Sequence, residues 1–309
     1  MNRPAGLGMT RATWAMLVVL AAFWGGTFFY NAILLRELPP TTLIALRVLT
    51  AAAILWPILL LRGERWRCDL PTLGALALLG LFNNALPFWL IAFGQLRVAG
   101  GIAAVLIAMT PLFTLVFAHL MTDDERMTPA RLAGLAAGLA GVVVLIGPRA
   151  LLTLGADLAA QCAVLGAALS YAWSGVYARR VLRRGLPLLA LATWQITLAA
   201  ALMLPLALLV DRPWTLAPPG TATWASLAAL VLTSTVIAYM LYFRILATAG
   251  ATNLLLVNFL VPVSAILLGV GVLGEALAAK HLAGMALIAL GLSLIDGALW
   301  RRLRRQILR

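Results

Sequence analysis

The feature that most constrains this chain is a succession of ten apolar windows, near 12–32, 41–61, 71–94, 98–121, 130–147, 157–178, 187–210, 223–246, 251–273 and 279–299. About 20 helical residues, rising about 1.5 Å each, cross about 30 Å of hydrocarbon. Inside lipid, backbone polar groups must be satisfied within the protein, so each window is expected to be a transmembrane helix.

Composition agrees. The 309 residues are 63% apolar and 11% charged, with a mean hydropathy of +1.02, which makes lipid the main solvent. Only short connections and a basic tail remain outside the spans, so no soluble catalytic or regulatory unit is expected and the function lies within the membrane.

The formal net charge of +13 would suggest a nucleic-acid partner in a soluble chain. Here the basic residues sort by side instead. With the N-terminus in the cytoplasm, 17 fall on inner segments, including Arg179, Arg180, Arg183 and Arg184 and the tail from Arg301 to Arg309. Five fall outside (Arg36, Arg97, Arg149, Arg212 and Lys280), and Arg47 falls within a span. The positive-inside rule then puts both termini in the cytoplasm of a bacterial inner membrane, with no nucleic-acid partner. The first span lacks a small-residue cleavage signature and reads as a retained anchor. Cys68 and Cys162 fall in a loop and a span, so neither a disulfide nor a metal site is expected.

The chain repeats itself. At an offset of 150 residues Arg131–Gly138 aligns with His281–Ile288 and Glu125 with Glu275, while Pro111 nearly matches Pro262 and Pro57 nearly matches Pro205. Each half, 1–150 and 151–309, has an odd number of spans, so the halves are expected to be inverted relative to each other. The expected fold is therefore all-α: ten transmembrane helices as two inverted five-helix repeats around a central cavity, an architecture suited to alternating access.

Ala22-Phe23-Trp24-Gly25-Gly26 in the first span, Arg47 in the second, and Glu275 followed by His281-Leu282-Ala283-Gly284 carry a family likeness. The chain resembles the EamA type of the drug/metabolite transporter superfamily. The resemblance implies a basket of ten helices with a central cavity, the fifth and tenth packed at the periphery, and a similarity to exporters of amino acids, aromatic ones among them. Asp123-Asp124-Glu125-Arg126 departs from the Gly-Glu pair usual in the first half.

Polar side chains at span depth are costly and mark candidate transport positions. Asn83 and Asn84 lie mid-span, and Pro87 is expected to strip the Asn83 carbonyl of its helical donor. Asn258 and Pro262 repeat that spacing. Thr235, Tyr239 and Tyr242 share one helix face; Ser170, Tyr171 and Ser174 share another. With the deep Trp24, these nominate Trp24, Asn83, Asn84, Tyr171, Ser174, Thr235, Tyr239 and Asn258 as substrate-binding residues. Pro87, Pro111 and Pro262 are nominated as kinks or gates. The blander alternative is a kink satisfied by neighbours and aromatics that simply pack. Arg47 keeps its charge and is expected to snorkel outward or to take a structural partner rather than to bind substrate. Gly134 and Gly138 form a Gly-x-x-x-Gly step that fits close contact either within the bundle or with a second copy, which leaves monomer and homodimer open.

The chain has no phosphate-binding Gly-x-x-x-x-Gly-Lys-Ser/Thr loop and no midplane carboxylate, so neither ATP hydrolysis nor carboxylate-based proton coupling is expected. His119 reads as an interface residue. No cofactor is implied. The metal-protease and paired-aspartate signatures of intramembrane enzymes are missing. The reading is a secondary or facilitative exporter of small organic metabolites, most of all amino acids. The alternatives are drug-type efflux of amphipathic cations, a channel, or a membrane scaffold.

Overall fold

The computed structural model describes residues 10–63, 69–121, 129–146, 156–254, 257–274, 276 and 278–296. The expectations for Glu125 and its acidic neighbours, Glu275, Cys68 and the basic tail fall outside these residues.

Among the described residues every regular element is a helix. The first two are α1 (Arg11–Leu34) and α2 (Pro40–Leu61). The third apolar window is α3 (Leu70–Gly80), a π-helical turn over Leu81–Ala85 and α4 (Leu86–Gln95). Then follow α5 (Gly100–Ile107), α6 (Thr110–Met121), α7 (Pro129–Ile146), α8 (Ala156–Leu182) and α9 (Leu188–Val210). The eighth window is α10 (Thr221–Val231), a second π-helical segment over Leu232–Ile237 and α11 (Ala238–Leu254); α12 (Val257–Leu273) and α13 (Ala279–Asp296) complete the fold. Among the described residues six spans are long and apolar enough to cross a membrane: Arg11–Leu34, Pro40–Leu61, Leu70–Gln95, Gly100–Met121, Leu188–Val210 and Thr221–Tyr242. Shorter apolar helices accompany them.

Proline acts at the breaks in the third and fourth windows through the donor it lacks, whereas the second π-helical segment holds none. The helix over the fourth window is interrupted at Ala108 and Met109, just before Pro111 in the first turn of α6. The carbonyl of Ile107, which a residue at 111 with an N–H would cap, accepts instead from Thr110 Oγ1 at 2.7 Å. By contrast α12 runs through Pro262 without interruption, as α2 and α9 run through Pro57 and Pro205.

In the ninth window the described part of α12 begins at Val257 and contains both Asn258 and Pro262.

Helices from the two ends of the chain alternate: α1 lies against α12, α2 against α9, α4 and α6 against α8, and α7 against α13. Glycine sets how closely these pairs approach. A methyl group at Gly141 of α7 would lie 2.7 Å from the Gly284 carbonyl oxygen of α13, and one at Gly291 would lie 2.5 Å from the Gly134 carbonyl oxygen. The Gly-x-x-x-Gly step is therefore spent inside the bundle. At Gly25 an added Cβ would collide with Ser264 and come within 2.9 Å of the Ala265 nitrogen, so the glycines of the first-span motif let α1 meet α12.

At one end of the bundle, two acidic side chains cap helices far away in sequence. Asp211 accepts from the N–H and the hydroxyl of Thr42 at the start of α2, at 2.7 and 2.8 Å. Glu37 accepts from the Gly220 N–H and the Thr223 hydroxyl at the start of α10, both at 2.8 Å. The first N–H groups of a helix have no intrahelical acceptor, and a carboxylate there also meets the positive end of the helix dipole. The Glu37 carboxyl is held below its ordinary range by the Gly220 N–H and then by the Thr223 hydroxyl.

Candidate functional site

The π-helical turn over Leu81–Ala85 decides where the two asparagines go. In it the Leu86 N–H reaches back to the Leu81 carbonyl, five residues earlier. In that register Pro87 fails to cap Phe82, one residue before the Asn83 expected from α-helical spacing. The Phe82 carbonyl is satisfied from another helix, by Ser170 Oγ of α8 at 2.6 Å. Because the helix is locally wider than an α-helix, the carbonyl that Pro87 leaves without a helical donor is that of Phe82.

Asn83 is engaged at both ends. Its Nδ2 donates to Gln195 Oε1 of α9 at 3.1 Å, and its Oδ1 accepts from Ser174 Oγ of α8 at 3.1 Å. It ties three helices together. Asn84 is different: fully buried, it accepts from the Tyr239 hydroxyl at 3.3 Å, and its Nδ2 has no partner. An unpaired donor in a low-dielectric interior costs about 1–3 kcal/mol.

Thr235, in the second π-helical segment, is buried with its hydroxyl unpartnered. Tyr239 lies one turn on, its hydroxyl reaching Asn84. Neighbouring Ser234 donates to the Phe23 carbonyl of α1 at 2.6 Å, and Ser264 donates to the Ala21 carbonyl at 2.8 Å. These two serines hold α1 against α12 and the second π-helical segment.

Arg47 enters this neighbourhood and was not expected there. It neither snorkels nor pairs. Only 3% exposed, it lies over the Phe88 ring with its guanidinium carbon 3.8 Å from the centroid, and its Nε has no partner. Tyr171 and Tyr239 border the same hydrophobic cluster as Phe88. A charge at bilayer depth costs about 3 kcal/mol on insertion scales, and a desolvated cation–π contact returns about 2 kcal/mol. The sequence signal for this role was a charged residue two turns inside an apolar span.

The site therefore gathers Asn83, Asn84, Tyr171, Ser174, Thr235 and Tyr239 of the expected residues, and adds Arg47, Phe88 and Gln195. Trp24 lies apart from the hydrogen-bonded group, its ring 6.1 Å from that of Tyr242. Tyr171 connects the two regions, since it borders both large hydrophobic clusters. Asn258 lies on α12.

The model of the EamA-like transporter family matches this chain twice, over residues 12–147 and 158–296. The chain belongs to the EamA-like transporter family. It is a membrane transporter, as the family resemblance implied. Among its relatives, the "uncharacterized inner membrane transporter YedA" of Escherichia coli strain K12 is 31% identical over 90% of this chain and 89% of its own length. "Protein PecM" of Dickeya dadantii is 26% identical over 88% of each chain. An "S-adenosylmethionine/S-adenosylhomocysteine transporter" of Chlamydia trachomatis is 26% identical over 90% of this chain and 88% of its own. A solved crystal structure shares the fold with a TM-score of 0.66 at 23% identity, covering 96% of this chain and 99% of that one.

The two matches of the family model divide the site between them. Arg47, Asn83, Asn84 and Phe88 come from the first; Tyr171, Ser174, Gln195, Thr235 and Tyr239 come from the second. The register that aligns the two π-helical segments at their first residues puts Asn84 opposite Thr235 and Phe88 opposite Tyr239. The register that aligns Pro57 with Pro205 puts Arg47 opposite Gln195. Each of the two family-model matches thus holds an irregular, polar turn, and of the paired positions Arg47 and Gln195 the first carries the positive charge.

Proposed function

We propose that this chain is a secondary or facilitative carrier of a bacterial inner membrane that exports small organic metabolites, amino acids and aromatic ones among them, by alternating access. In this reading residues 1–150 and 151–309 are two inverted five-helix repeats with both termini in the cytoplasm. The polar group between them lines a central cavity. No ATP site or cofactor takes part.

The observation that carries the proposal is the pair Asn84 and Thr235. Both are buried at matching positions of the two family-model copies, and each has a polar atom without a protein partner. Buried polar groups are ordinarily satisfied, so an unfilled pair at the junction of two repeats fits a place that a solute fills. Tyr171, Tyr239 and Phe88 supply aromatic surface beside it. S-adenosylmethionine and S-adenosylhomocysteine, for which the chlamydial relative is named, each end in an α-amino carboxylate, which supports an amino-acid-like solute here.

The test is uptake of a radiolabelled amino-acid panel into proteoliposomes of the purified chain, with and without an imposed pH gradient. Saturable uptake of one or a few amino acids is the expected result, and indifference to the gradient supports facilitated export. Non-saturating flux would turn the reading toward a channel. Folded protein that moves no amino acid would remove that substrate class.

A further inference from the structure

The expected site did not include Arg47, and the bland accounts of a charge at this depth do not hold for it. A snorkelling arginine exposes its head, yet this one is 3% exposed. A structural arginine has a carboxylate, yet among the described residues no acidic side chain pairs with it. The carboxylates of Glu37 and Asp211 are occupied at the helix starts near one end of the bundle. What faces the guanidinium is the neutral Phe88 ring, and Tyr171 and Tyr239 border the same hydrophobic cluster. Among the described residues this buried, permanent charge has no carboxylate partner.

Three atoms of this group are without a partner: Arg47 Nε, Asn84 Nδ2 and the Thr235 hydroxyl. Phe88, under the guanidinium, lies one turn beyond Asn84, and Tyr239, one turn beyond Thr235, donates to Asn84 Oδ1. Two of the three are obligate donors and the third donates readily. Donors in excess beside a fixed positive charge suit one chemical group above others, a carboxylate with its two oxygens and one negative charge. In the other family-model copy the matching position is Gln195, neutral and already engaged with Asn83. The site is therefore polar in charge as well as in composition, with its anion-binding end on α2.

We infer that Arg47, assisted by Asn84 and Thr235, anchors the carboxylate of the transported solute, so that the site accepts carboxylates and zwitterions and rejects the corresponding amines. This rests on the carrier reading for its solute but not for its chemistry. It runs against the drug-type alternative, because an amphipathic cation would meet Arg47 with no anion to offset it.

The test uses three compounds built on one phenyl-ethyl skeleton: phenylalanine, 3-phenylpropionate, which lacks the ammonium, and phenethylamine, which lacks the carboxylate. Inorganic phosphate serves as the bare-anion control. Binding to the purified full-length chain is measured by isothermal titration calorimetry, and flux is measured separately in proteoliposomes. Phenylalanine and 3-phenylpropionate are expected to bind at least tenfold more tightly than phenethylamine, with phosphate weaker than either. Arg47→Gln, which installs the residue the other copy carries, is expected to remove that preference, and Arg47→Lys to restore part of it. The wild-type comparison stands even where a variant fails to fold. Phenethylamine or phosphate binding as tightly as 3-phenylpropionate would overturn the anchor, as would a folded Arg47→Gln that keeps the preference or a panel in which no carboxylate binds. Carboxylate binding without saturable flux would leave the anchor in place and remove the carrier. Saturable flux of an amine untouched by Arg47→Gln would do the reverse.

Discussion

Asp211, just past the end of α9, accepts hydrogen bonds from both the backbone N–H and the hydroxyl of Thr42 in the first turn of α2, at 2.7 and 2.8 Å. The two residues belong to different copies of the family model, so a helix cap doubles as a tie between them. Asp211→Ala is expected to destabilise the chain by about 1–2 kcal/mol, the usual worth of an N-cap side chain. A lowered thermal midpoint in detergent checks it, and an unchanged midpoint would mean that water replaces the carboxylate at no cost.

Glu37 makes the reciprocal tie to α10, and its carboxyl is held below the ordinary range by the Gly220 N–H and the Thr223 hydroxyl. A depressed carboxyl contributes its stability in full above the ordinary carboxylate range and loses it as pH falls through the depressed value. Thermal midpoints of wild type and Glu37→Gln are therefore expected to differ at neutral pH and to converge on acidification. A constant difference between them would show that the carboxylate charge plays no part.

The adjacent asparagines are expected to fail in different ways. Asn83→Ala removes hydrogen bonds to Gln195 and Ser174, each worth about 1 kcal/mol, and should lower thermal stability. Asn84→Ala removes an amide whose Nδ2 has no protein partner, and should raise the substrate KM or abolish flux with expression intact. Tyr239→Ala is expected to follow Asn84→Ala. Proteoliposome kinetics beside melting curves separate the two, and transport unchanged in both Asn84→Ala and Tyr239→Ala would remove this pair from the site.

Side chains at Gly141 or Gly291 would force α7 and α13 apart, since the contacts there are with backbone that has no way to yield. Gly141→Val is expected to cost about 2–3 kcal/mol, in the range of an overpacked core. Gly74→Ala, where nothing lies within 4 Å, is the matched control and should be neutral or slightly stabilising. Equal midpoints for the two variants would show that the helix pair separates freely.

A polar residue at span depth stands out against an apolar background, which is how the sequence nominates Asn83, Asn84, Tyr171, Ser174, Thr235 and Tyr239, and the fold brings these side chains into one candidate group. The π-helical turn is not legible in the sequence, because spacing alone implies an α-helix; in the wider turn Pro87 fails to cap Phe82 instead of Asn83. The burial of Arg47 is not legible either, because the reach of a side chain toward the surface depends on which helices stand in its way.

The sequence by itself determined that this chain is helical and lives in lipid, because runs of about 20 apolar residues leave no other way to satisfy the backbone in hydrocarbon. It also carried the family and its duplication, through matches spread along the whole chain. Only the tertiary structure decided how each polar or small residue is used. Asn83 is satisfied and Asn84 is not, though they are neighbours, because successive residues on a helix point about 100° apart and meet different partners. The glycines of α7 serve α13 because that is the helix the fold brings against them. Arg47 is buried because α2 turns it over the Phe88 ring of α4, a relation between residues far apart in the chain.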